Sequence, residues 1–210
     1  MIDNYNDLTV GKYQEIMVVL KGKVVDEYAT NIQLVSILSD MSEDDVLNLG
    51  LSEYKVLNQK LSFLLVEPPK RMIANMYKIG GFELETMLDV RKMTVAQYVD
   101  YQTFVKDVDK YLIEMLSVFL VPKGMKYNEG YDIVEVQRAI RDNLSIVDAM
   151  SLSAFFLLWS QSLIKATLTY LTKQMKKMKR TMKKPMEIQK MEEAIANLEN
   201  VGAGLPLLTK

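Results

Sequence analysis

Residues 144–184, LSIVDAMSLSAFFLLWSQSLIKATLTYLTKQMKKMKRTMKK, constrain this chain more than any other stretch. The segment opens on Ser145 and Asp148, a helix-start pattern in which the side chain at the cap and the one three residues later satisfy each other's backbone amides. It then gathers Phe155, Phe156 and Trp159, the only tryptophan, and turns within a few residues into the most basic run of the sequence. A single helix is expected here, with one end in the core and the other serving as a charged handle. Its unbroken apolar run, residues 154–159, is short beside the roughly 20 apolar residues that a bilayer requires, so no membrane span is expected.

At 210 residues with 49% apolar content the chain has enough material for one or two small domains. Cysteine and histidine are both absent. That excludes disulfides, thiolate or imidazole metal sites, and nucleophile systems built on Ser/His/Asp or Cys/His. Carboxylate-only chemistry remains open, but no pair of acids is marked out for it. The net charge of −1 hides a strong polarity. Residues 1–70 hold 6 Lys against 11 Asp/Glu, whereas residues 165–184 hold 8 Lys/Arg and no acid. The N-terminal residues lack the basic and apolar regions of a secretory signal.

Taken in order, Thr9 is placed to cap a helix whose Tyr13, Ile16, Met17 and Leu20 share a face, with Gly22 as a left-handed stop. A second helix is expected over residues 26–38. Ser42 and Asp45 form a capping box for a short third. A fourth runs from Leu51 to near Leu65, before Pro68 and Pro69 close the unit. Gly80-Gly81 then sits between two apolar arms, residues 72–79 and 82–90, and predicts a β-hairpin, because glycine supplies the positive φ of a two-residue turn. A lone hairpin is marginal, so it must lie on the helices or pair with another chain.

After the hairpin the beginning recurs. Thr94, Val95, Tyr98 and Asp100 match Thr9, Val10, Tyr13 and Glu15 at an offset of 85. Residues 113–119 match 32–38, Ser145 and Asp148 echo Ser42 and Asp45, and Leu152-Ser153 echoes Leu51-Ser52. The expected fold is therefore mainly α, with two copies of a small multi-helix unit joined by the β-hairpin and followed by a basic helical arm. The boundaries are 1–69, 70–91 for the connector, 92–172 with an inserted loop, and 173–210 for the arm and tail.

Three sets of residues are candidates for contact. Phe155, Phe156 and Trp159 are core or an intersubunit surface. Tyr127 and Tyr131, in the Gly/Pro/Asn-marked insertion near residues 122–132, either offer contact area or pack that loop down. Lys173, Lys176, Lys177, Lys179, Arg180, Lys183 and Lys184 are candidates for phosphates or an acidic partner. Met175, Met178 and Met182 form a stripe among these cations, and Ile188, Met191, Ile195 and Leu198 form another beyond Pro185, on a helix of opposite charge. With one Arg in the run and no aromatic beyond Tyr170, base reading is not indicated and nucleic-acid binding would be non-specific. Pairing of the basic run with the acidic first third would build rings or filaments. No cofactor and no metal is expected, since Glu43, Asp44 and Asp45 suit a helix start better than an ion.

Residues 7–15 (DLTVGKYQE), 92–100 (KMTVAQYVD) and the loop over residues 120–132 resemble small proteins from the structural gene blocks of tailed bacteriophages, among them crAss-like phages of Bacteroides-type hosts. The resemblance spans about residues 5–175 and leaves the arm outside it. It implies a non-enzymatic morphogenesis role, as a tail-assembly chaperone or a neck, tail or virion component. It also implies other phage structural proteins as partners and a location in the virion or in the host cytoplasm during assembly. The alternative is a DNA-contacting phage protein that uses the basic arm.

Overall fold

The computed structural model describes residues 1–22, 26–181 and 185–204. It is mainly α-helical: α1 Val10–Lys21, α2 Glu27–Ser39, α3 Glu43–Leu47, α4 Leu51–Lys60, α5 Val95–Phe104, α6 Val108–Phe119, α7 Ile133–Asn143, α8 Ile146–Thr181 and α9 Pro185–Gly204. A small antiparallel sheet adds β1 Met76–Ile79, β2 Phe82–Thr86 and β3 Leu120–Pro122. Short 3-10 turns follow α4 and precede α5 and α6.

The helices begin where short polar side chains can take up free amides. Thr9 accepts from the amide of Lys12, Asp26 from that of Tyr28, and both Ser42/Asp45 and Thr94/Gln97 close full capping boxes. Gly22 does not supply a left-handed stop, since its φ is −60° and its amide bonds back to Val18 and Val19. The left-handed residue ends α2 instead, at Asp40 with φ 56°, a conformation that Asp adopts more readily than most residues other than glycine; its carboxylate accepts from Lys12 of α1 at 2.6 Å.

The hairpin turns at Gly80 (φ 54°) and Gly81 (φ 83°), pairing Tyr77 with Leu84 on the buried face. Its strands are shorter than the alternation predicts, and its outer edge does not wait for another chain. Leu120–Pro122, leaving α6 directly, pairs with β2 and is buried throughout. A three-residue strand is too short to show a period. The turn rests on α7, where a Cβ on Gly80 would meet the Ala139 Cβ at 2.6 Å. Helix α7 itself occupies the stretch after the expected loop, with Val136, Ala139 and Ile140 buried at helical spacing.

One contiguous apolar cluster draws on both halves of the chain, from Leu8, Val35 and Leu38 through Leu116, Phe119 and Ile140 to Leu152 and Phe156. An antiparallel bridge between Thr9 and Ser145 ties the start of α8 to the start of α1, with the Val10 amide on Leu144 O (3.0 Å) and the Ile146 amide on Leu8 O (2.8 Å). Arg71 adds a strap, donating to Asp148 (3.0 Å) and Asn6 (2.6 Å) from the irregular segment that leads to β1. The first half of α8 is thus held from several sides before it runs outward.

Candidate interaction surface

The aromatic set on α8 divides by helical phase. Phe156 is fully buried and stacks on Phe119 of α6, with centroids 3.4 Å apart and planes 7° from parallel. It is core, with no surface to offer a partner. Phe155 meets Phe156 edge-on at 5.0 Å and Trp159 lies 6.0 Å from Tyr101; both are half-buried. The exposed large apolar side chains on this part of α8 are Leu158 and Leu163.

The loop tyrosines are spent on the chain itself. The Tyr127 hydroxyl donates to Asp100 at 2.8 Å, and burial together with that carboxylate holds its proton well above the usual phenol range. The Tyr131 hydroxyl accepts from the amide of Asn128 at 3.1 Å, bracing a residue at φ 56°. Both rings are half-buried, so the excursion between β3 and α7 is packed down by its own tyrosines.

Beyond Ile164, no described side chain of α8 or α9 is fully buried. The two helices lie against each other, so the apolar stripe of Ile188, Met191, Ile195 and Leu198 meets α8 rather than solvent, yet each of these side chains stays half-open. Lys173, Lys176 and Lys177 are exposed on α8. The side chains of Lys179 and Arg180, and Lys183 and Lys184 entirely, lie outside the described residues. An open groove of about 580 Å³ runs along one flank of α8, lined by Ile164, Leu168 and Thr172 and by the exposed Lys165, Lys173 and Lys176.

One further apolar surface is not marked out by the sequence. Helix α4 buries none of its residues, and Leu51, Val56, Leu65 (88% exposed) and Val66 face out on it and the turn that follows. Their spacing is that of any amphipathic helix, and only the tertiary arrangement shows that no described residue covers them.

Among the described residues, no group of three or more Asp or Glu is placed to hold a metal ion. By length and composition alone, residues 146–177 could cross a bilayer, with mean hydropathy 1.3 and 39% of the most apolar window buried. Comparison with family models, with curated proteins and with solved structures finds no match.

Proposed function

We propose that this chain is a non-enzymatic morphogenesis or virion structural protein of a tailed bacteriophage, acting by contact with other structural proteins in head–tail or tail assembly. The observation that carries the contact role is the division of α8. Its first half is fixed at the centre of a core, whereas its second half leaves the core as a two-helix arm whose apolar side chains stay partly open and whose flank is basic. A rigid base with a half-covered, charged extension suits a protein that presents a surface. The phage assignment rests on the sequence resemblance of residues 5–175. Thr9 and Thr94 capping equivalent helices agrees with duplication of an ancestral unit. We read the apolar stretch of α8 as a core helix rather than a span, because Leu152, Phe156 and Leu157 within it are buried by α6 and its neighbours.

The test is capture by the purified chain of portal, tail and capsid proteins from the same particle, with mass spectrometry of purified virions to place it inside or outside the finished particle. Capture of one of these proteins is expected. A chain that binds none of them contradicts the reading.

The exposed lysines of the arm favour a second reading, contact with DNA phosphates. It predicts a mobility shift of DNA at low salt that collapses at moderate salt. Unchanged mobility at low salt removes it.

A further inference from the structure

The α8–α9 arm carries two apolar stripes that its own two helices leave half-covered. On α8 the apolar positions Ile164, Leu168, Leu171 and Met175 alternate by four and three residues; on α9 Ile188, Met191, Ile195 and Leu198 alternate by three and four. That is the heptad spacing of helices that pack along a continuous seam. In a finished seam these side chains would be buried, as Leu152 and Phe156 are lower on the same helix. Here, past Ile164, each remains half-exposed. Two helices of this length are marginal alone, whereas four bury all their seams at once.

The charges say what completes it. Between residues 165 and 177 helix α8 carries Lys165, Lys173, Lys176 and Lys177 and no acid; between 186 and 200 helix α9 carries Glu187, Glu192, Glu193 and Glu199 against Lys190 alone. A hairpin with one basic and one acidic helix is complementary to itself. Turned about a two-fold axis, it sets each basic helix beside the acidic helix of the other copy, twice over. The groove of about 580 Å³ along α8 is lined by Lys165, Lys173 and Lys176 together with Ile164 and Leu168, a lining that suits an acidic amphipathic helix.

We propose that the α8–α9 arm is a dimerisation element that takes a second copy of this chain, forming an antiparallel four-helix bundle in which α9 of each copy lies in the lysine-lined groove of the other. This inference rests on the contact role proposed above and names its first partner.

Sedimentation equilibrium of the full chain over a wide concentration range tests it. The wild type is expected to be a dimer that dissociates on dilution and more readily at high salt. A triple variant, Lys165→Glu/Lys173→Glu/Lys176→Glu, and a second, Glu192→Lys/Glu193→Lys/Glu199→Lys, should each raise the half-dimer concentration by roughly tenfold or more. Mixed together, they should form a one-to-one heterodimer, since every reversed contact then meets its opposite. Helical content by circular dichroism follows the arm. If either variant alone loses helix, recovery of helix on mixing supports the bundle, and a mixture that recovers neither helix nor dimer overturns it. A wild type that stays monomeric at every concentration, or reversed variants that dimerise as before, also overturns it. A monomer that still captures a phage protein defeats the pairing alone, whereas a dimer that captures none leaves the pairing standing and removes the assembly role.

Discussion

Tyr101 on α5 donates its hydroxyl hydrogen to the backbone carbonyl of Phe156 on α8, 3.1 Å away, inside the core. The bond fastens the aromatic part of α8 to α5, and the Tyr101 side chain is fully buried. Burial pushes the Tyr101 hydroxyl up to about 12.

Replacing Tyr101 with Phe should therefore cost about 1–3 kcal/mol at neutral pH, because it removes the bonds to the Phe156 carbonyl and to the Ser160 side chain, each worth about 1 kcal/mol net. It should also change the alkaline limb. The folded chain holds this proton to about 12, whereas an ordinary tyrosine releases it near 10.0. Stability from this group is complete below pH 10 and is lost as pH rises through 12, at most roughly 2–3 kcal/mol. Urea unfolding at pH 7 and pH 11 should show a smaller fall for Tyr101→Phe than for the wild type. An equal fall would mean that Tyr101 keeps an ordinary affinity for its proton.

Phe155 and Phe156 are neighbours in sequence with different work. Phe156→Ala removes a fully buried ring from its stack on Phe119 and should cost about 3–5 kcal/mol. Phe155→Ala, at a half-buried site, should cost less than about 2 kcal/mol. Chemical denaturation of the two variants gives the comparison, and equal losses would contradict the division of the aromatic set.

The two glycines of the hairpin turn should also separate. Gly81→Ala meets open space and suffers only the positive φ, a loss of about 1 kcal/mol. Gly80→Ala suffers the same backbone strain and drives its methyl into Ala139 of α7, so its loss should be clearly larger. Thermal unfolding of both variants ranks them. The reverse order would mean that the turn does not rest on α7.

Much of this architecture is legible because its signals are local. Thr9, Asp26, Ser42 and Thr94 mark helix starts by a chemistry confined to three or four residues, and Gly80-Gly81 marks a turn by the φ it permits. Strand β3 is not legible, since Leu120-Val121-Pro122 reads equally as the end of α6. Nor does sequence say that Phe156 points inward while Leu158 points out, because several faces of that helix are apolar and the phase is set by Phe119 and Tyr101 from elsewhere in the chain. The stripes on α8 and α9 are visible as spacing. Their meeting is not, because a stripe names a face and not what covers it. The loop tyrosines are the same case, with Tyr127 answered by Asp100, a residue 27 positions away.

Hydrogen exchange along α8, followed by mass spectrometry at increasing protein concentration, tests the central claim directly. Amides of residues 146–160 are expected to exchange only through global opening at every concentration, whereas those of residues 165–177 and 186–200 are expected to exchange by local opening in dilute solution and to gain protection as concentration rises. Uniform protection along the whole helix in dilute solution, or an arm whose exchange does not respond to concentration, would contradict it.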